Sequence, residues 1–213
     1  MEKSFWVDRW ENDNIGFHQD VLNPFLHKYG EKYFSEDSNV FVPLCGKSHD
    51  IVWLAKKCQL VTGIEISEKA VKSFFDENGL NFHSHDNLYT AGNIRIFSGD
   101  IFELTAEQLG GTDFIFDRAS IVALPEEMRI HYAKKITELS GPGTRILLVA
   151  MDYPQNEMQG PPFSVTVNEI KNLYDNNFDI ELLEEVDLLK SSSKFSERGI
   201  TRASEYCLMM KKK

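Results

Sequence analysis

Apolar positions along the chain fall into two alternating rhythms. Short runs rich in β-branched and aromatic residues read as buried strands: Asn39 to Leu44 (NVFVPL), Leu60 to Ile64 (LVTGI), Ile94 to Ser98, Phe114 to Asp117 and Thr144 to Met151 (TRILLVAM). Between them apolar residues recur at helical spacing. Ile51, Val52, Leu54 and Ala55 predict a helix to about Lys57. Ala70, Val71, Phe74 and Phe75 predict a second, which Ser67 caps and Gly79 closes, and Pro125 opens a third that runs to about Ser140. After a proline-rich loop, Pro154 to Pro162, come a short helix near Val167 to Tyr174 and two more strand-like runs, Ile180 to Val186 and Ala203 to Met210.

Strands that alternate with helices imply right-handed crossovers and a mainly parallel sheet covered on both faces. The fold class is therefore α/β, and the two late strands, with no helix between them, predict an antiparallel hairpin at one sheet edge. Asn81 to Gly92 and Ser191 to Arg202 are polar and aperiodic, and are expected to be mobile surface. Residues 1–35 precede the sheet and place Trp6 and Trp10 four apart, on one helical face. No repeat or linker interrupts the pattern, which predicts a single domain over residues 1–213.

Composition narrows the partners. Hydrophobic residues at 42% and charged residues at 26% argue against disorder or a fibrous repeat. A formal charge of -10 and a pI near 5.1, with no basic stripe, argue against nucleic acid. The closing Lys211, Lys212 and Lys213 read as a solvated end. Trp6, Asp8, Arg9 and Trp10 stand where a secretory peptide needs an unbroken apolar stretch, and no run reaches the length of a membrane span. Cys45, Cys58 and Cys207 are odd in number, far apart and without a CxxC pair, which suits a reducing compartment, so a cytoplasmic protein without a membrane partner is expected.

In a doubly wound sheet, ligands sit beyond the carboxyl ends of the strands. The turn after the first strand, Pro43-Leu44-Cys45-Gly46-Lys47, has one glycine where a dinucleotide fingerprint has three and lacks the ending of a phosphate loop, which disfavours a pyrophosphate cradle. Glu65, at the predicted end of the second strand, stands about where an acid grips ribose hydroxyls; by position alone it could equally be a solvated acid at a helix entrance. Asp100-Ile101, after the third strand, could meet an adenine edge and face. Asp117-Arg118 ends the fourth, where the arginine could hold an anion, although a structural ion pair is the commoner use. Trp6, Trp10 and Phe17 read first as a core plug and second as an aromatic lid, whose ring faces attract a sulfonium cation and exclude water. His83-Ser84-His85-Asp86 has metal-type residues but lies in an expected loop, Cys45 reads as a small buried thiol, and the remaining histidines stand alone as structural residues; no metal is expected.

In order, these segments resemble the thiopurine S-methyltransferase family, bacterial branch. The residues that carry the resemblance are Phe5-Trp6 with Arg9-Trp10, Ile15-Gly16-Phe17-His18, Val42-Pro43-Leu44-Cys45-Gly46-Lys47, Gly63-Ile64-Glu65-Ile66-Ser67, Asp100-Ile101-Phe102, Phe116-Asp117-Arg118-Ala119 and Gly160-Pro161-Pro162-Phe163. The resemblance implies a class I methyltransferase (Rossmann-like) three-layer sandwich with a seven-stranded, mostly parallel sheet, S-adenosyl-L-methionine as cofactor, and residues 1–35 as a lid over it. It implies Trp6 and Trp10 as lid aromatics, Leu44 as the backbone contact under the methionine part, Glu65 as the ribose ligand and Asp100-Ile101 as the adenine-side wall. It implies Arg118 as the active-site arginine near cofactor and acceptor, and Phe17 as the acceptor-stacking aromatic. The implied enzyme is a monomer that methylates the sulfur of thiopurines or similar small aromatic or heterocyclic thiols. The alternative is detoxifying methylation of selenium or tellurium oxyanions, halide or hydrosulfide at the same site. Ser191 to Arg202, serine-rich, does not match the family pattern.

Overall fold

In a computed structural model, which describes residues 3–191 and 193–213, the chain divides into two compact units, one ending at Phe116 and one running from Asp117 to Lys213. The first unit opens with helix α1 (Lys3–Glu11) and helix α2 (Pro24–Tyr33), then alternates strand and helix: β1 (Asn39–Val42), α3 (His49–Ala55), β2 (Leu60–Glu65) and α4 (Glu68–Glu77). A hairpin of β3 (His83–His85) and β4 (Leu88–Ala91) follows, then β5 (Ile94–Ser98), a 3-10 turn (Ile101–Glu103), α5 (Ala106–Leu109) and β6 (Phe114–Arg118). Strand β6 begins in the first unit and ends in the second. The strand order here is β3-β4-β5-β2-β1-β6, with β5, β2, β1 and β6 parallel and the hairpin antiparallel at the edge.

The parallel strands are buried along nearly their whole length, as the continuous apolar runs require, and Phe41, Val61, Ile96, Phe74 and Phe75 lie in the core of this unit. Helix boundaries follow the caps. Ser67 accepts from the Ala70 N–H at the start of α4, and Asn23 accepts from the Phe25 and Leu26 N–H groups with Pro24 at the first helical position of α2. The Asn23-Pro24 pair marks this start, and α2 is an addition to the expected elements.

The second unit contains a 3-10 turn (Ile121–Ala123), α6 (Glu126–Leu139), β7 (Arg145–Asp152), α7 (Val167–Tyr174), β8 (Phe178–Asp187), α8 (Leu188–Ser191), α9 (Ser193–Glu197) and β9 (Ser204–Lys212). Strand β9 runs antiparallel to both β7 and β8, so the expected edge hairpin is present, with a bulge at Leu182/Glu184. Tyr132, Ile146, Leu148, Tyr174 and Leu208 are buried in this unit's core.

All seven expected strands occur, as β1, β2, β5, β6, β7, β8 and β9. Two segments expected as mobile loop are ordered differently. Asn81 to Gly92 contains the β3–β4 hairpin, turning at Asp86 in the left-handed region, φ 52. Its outer strand is exposed at every residue, so it carries no apolar alternation to read. Ser191 to Arg202 contains α9, while Ser192 lies outside the described residues. No described helix is long and apolar enough to cross a membrane.

Candidate active site

The tips of β1, β2 and β5, neighbours in the parallel sheet, end side by side in the first unit. Beyond β1 the chain enters a tight turn in which Leu44 (φ 44) and Gly46 (φ 52) are both left-handed. For a branched side chain such as Leu44 that conformation is strained, and strain of this kind collects at binding sites. The turn stays tied to β2 because the Cys45 N–H donates to the Ile64 carbonyl at 2.9 Å. Gly63 permits this approach: a Cβ there would stand 2.7 Å from the Cys45 sulfur.

Glu65 ends β2 at 5% exposure. One carboxylate oxygen accepts the Gly46 N–H at 3.0 Å and the other the Ser67 N–H at 2.9 Å. Burial pushes its carboxyl up to about 7, against the lowering effect of those backbone donors. Each oxygen retains acceptor capacity beyond its one amide bond, so the group can still receive a pair of ligand hydroxyls. The solvated-acid alternative does not hold, because this carboxylate is buried and pinned.

Helix α1 lies over these tips. Trp10, 4% exposed, packs its ring against the Gly46 turn so closely that a Cβ on Gly46 would stand 3.0 Å from it. Phe17 meets both indoles edge to face, at 5.4 Å from Trp6 and 5.5 Å from Trp10 between centroids. At the other end of α1 the Lys3 ammonium is 2.8 Å from Asp100. Asp100 also caps the turn after β5, accepting the Phe102 N–H at 2.9 Å, and Ile101 beside it is buried. Lys69 of α4 bonds the Glu11 carbonyl and Asp13, which secures the end of α1. Thus Trp6, Trp10, Phe17, Leu44, Glu65, Asp100 and Ile101 all belong to one unit, at or over adjacent strand tips. A cavity of about 530 Å³ lined by Val7, Glu11, Ser67 and Lys69 among others contains none of these seven residues and is not this cradle.

Arg118 belongs to the second unit, at the end of β6, half-buried and followed by Ala119 in the left-handed region, φ 60. Its positive charge acts on Glu205 of β9, whose carboxyl is raised by burial and lowered in part by that arginine. Asp117, one residue earlier, is fully buried; it accepts the Tyr132 hydroxyl at 2.7 Å and the Ile121 N–H at 3.3 Å, and burial lifts it to about 6. The Gly160-Pro161-Pro162-Phe163 loop is anchored where the Tyr153 hydroxyl donates to the Pro162 carbonyl at 2.6 Å and the Phe163 N–H donates to the Val122 carbonyl at 2.7 Å.

No local signal in the sequence marks Lys3 and Lys69 as partners of the cradle. Outside the cradle His18, expected as a lone structural histidine, is drawn together with His49 and Asp20. On the β3 strand, His83 and His85 are exposed, and among the described residues no third ligand joins His85 and Asp86. Cys45, Cys58 and Cys207 are all buried and in no disulfide.

The cradle suits S-adenosyl-L-methionine better than a dinucleotide: a carboxylate with acceptor capacity stands at the β2 tip, aromatic faces cover the turn, and no glycine-rich phosphate loop is present. Parallel strands with this cradle define the class I S-adenosylmethionine-dependent methyltransferase fold. The same fold is found in the N-methyltransferase NodS from Bradyrhizobium japonicum in complex with S-adenosyl-L-homocysteine, at TM-score 0.65 and 12% identity, covering 100% of this chain and 99% of that one.

The family model described as Thiopurine S-methyltransferase (TPMT) matches residues 1–213. A thiopurine S-methyltransferase of Nitrosospira multiformis is 41% identical over 215 residues, covering 99% of this chain and 98% of that protein. One of Bordetella parapertussis is 42% identical over 207 residues, covering 95% and 94%. The chain belongs to the thiopurine S-methyltransferase family.

Proposed function

We propose that this protein transfers the methyl group of S-adenosyl-L-methionine to the sulfur of thiopurines or similar small aromatic or heterocyclic thiols. The observation that carries the reading is the Glu65 carboxylate, buried and pinned at the β2 tip under the Trp10 ring in a chain of this family. When bound, the cofactor supplies an electrophilic methyl on a cationic sulfur. Glu65 binds the ribose hydroxyls and the Leu44 turn holds the methionine part. The Asp100-Ile101 corner flanks the adenine, with Asp100 held by Lys3.

Residues 1–35 act as the lid over the cofactor, and the family match over residues 1–213 supports treating the chain as one domain. Trp6 and Trp10 exclude water and favour the cation through their ring faces, while Phe17 stacks on the acceptor. Arg118 favours the acceptor thiolate over the thiol through its fixed charge, so that no dedicated base has to remove the proton. Holding nucleophile and methyl in line supplies the rest of the rate. We read the protein as cytoplasmic, monomeric and detoxifying; three buried cysteines outside any disulfide suit a reducing compartment.

The test is release of demethylated cofactor across a panel of thiopurines, other thiols, selenite, tellurite, halide and hydrosulfide. Turnover fastest with heterocyclic thiols supports the reading, and turnover confined to the metalloid or halide acceptors replaces the acceptor while keeping the cofactor site. Arg118→Ala is expected to lower kcat and move its pH profile upward; unchanged turnover and profile remove the arginine's role.

A further inference from the structure

The chain leaving α1 turns where the His18 N–H donates to the Ile15 carbonyl at 2.8 Å. This brings His18 against the start of α3, where its ring stands 5.8 Å from that of His49, centroid to centroid, at a 41° tilt. Asp20, two residues further on, places a carboxylate oxygen 3.4 Å from the His18 Nε2. One ligand-type atom from each of His18, Asp20 and His49 lies within 4.8 Å of the other two.

Two imidazoles and a carboxylate form a donor set suited to zinc and its neighbours among the divalent transition ions. At bond lengths of about 2.0–2.1 Å, two ligands of a tetrahedral ion stand roughly 3.3–3.4 Å apart. The His18–Asp20 pair is already at that separation. Asp20, whose side chain is 92% exposed, is free to rotate toward an ion, the two imidazoles close on it by turning about their own side-chain bonds, and His18, at 10%, supplies the less exposed wall. Lys47 is the nearby opposing charge felt by His18. Its ammonium is held by both oxygens of Glu77, at 2.7 and 2.9 Å, so a carboxylate offsets it.

We propose that His18, Asp20 and His49 form a binding site for one divalent transition ion of the zinc class. The ion fastens the segment that carries Phe17 to the start of α3, and so steadies the aromatic cluster from outside the cradle. Neither methyl donor nor acceptor is a ligand of the ion, so its binding is measured without either and is read apart from methyl transfer.

The experiment is calorimetric titration of the untagged, chelator-stripped full chain with Zn²⁺, with Co²⁺ and its visible spectrum as a second probe. One ion per chain is expected, with affinity at least about tenfold weaker in Asp20→Asn and in His49→Gln. Asp20 is exposed, so its variant folds whatever happens to His49. The double variant His83→Gln/His85→Gln, on the exposed β3 strand, is expected to bind like the parent chain. Absence of binding at micromolar Zn²⁺, binding indifferent to both Asp20→Asn and His49→Gln, or binding abolished by the β3 variant overturns the proposal.

Discussion

Glu65 at the end of β2 and Asp117 near the end of β6 are both buried carboxylates, and in both the chief cause of a raised proton affinity is burial, to about 7 and about 6 respectively. They differ in their partners. Glu65 accepts two backbone N–H groups from the turns that flank it and lies beneath a helix, α1, that is fastened by surface ion pairs. Asp117 accepts the Tyr132 hydroxyl and the Ile121 N–H in a core with no exposure. The contrast teaches that burial and a raised pKa arise equally at a proposed ligand-binding acid and at one enclosed in the core. What separates the two is the partner set: Glu65 is held by the backbone of the turns at its strand tip, and Asp117 by a buried tyrosine and the start of a 3-10 turn.

The largest effect expected from this comparison comes from removing each acid. Under the proposed ribose role, Glu65→Ala removes two charge-assisted hydrogen bonds, each on the order of 1.5 kcal/mol, and should weaken S-adenosylhomocysteine binding about 100-fold by calorimetry. Asp117→Asn leaves that affinity within about twofold and acts on unfolding stability instead, through the hydrogen bonds of the Tyr132 hydroxyl and the Ile121 N–H. Equal losses of affinity in the two variants would erase the distinction.

Titration sharpens it further. Both folded pKa values lie above the unfolded ones, so the folded chain holds protons that the unfolded chain has released. Stability therefore falls as pH rises from the ordinary carboxylate range to about 6 for Asp117 and about 7 for Glu65, by on the order of 3 kcal/mol each, and is flat above. Asp117→Asn should flatten the lower part of that decline in denaturant melts. Hydroxyl donors favour the ionised Glu65, so cofactor affinity should climb from about pH 6 to 8, with a proton released on binding below about pH 7. Calorimetry in buffers of different ionisation enthalpy detects that proton, and its absence would break the ribose assignment.

Backbone strain gives a smaller pair of effects. Gly46→Ala puts a Cβ into a left-handed residue and 3.0 Å from Trp10, and should cost about 1–2 kcal/mol of stability together with cofactor affinity. Ala119→Gly, at φ 60 in the second unit, relieves the same conformation and should change stability by less than about 1 kcal/mol. The smallest effect is expected from Lys3→Ala: its side chain is 59% exposed, and a surface pair of this kind should move cofactor affinity by less than about threefold.

Much of this was legible in the chain. The apolar runs of β2 and β7 and the stripe of α4 specify their elements locally, because the period of burial is written directly into residue order. Glu65 and Leu44 could be placed at strand tips for the same reason. The β3 strand could not be read, since it is exposed throughout and held by pairing with β4 rather than by apolar alternation.

What the sequence alone determined is the α/β alternation, the seven strands and the positions of the tip residues, since propensity, capping and periodicity act over a few neighbouring residues. Only the tertiary structure decided that Lys3 meets Asp100, that Trp10 covers Gly46, and that His18, Asp20 and His49 share one corner. Those meetings join residues far apart in the chain, and their free energy comes from packing and charge in three dimensions, which no local pattern records.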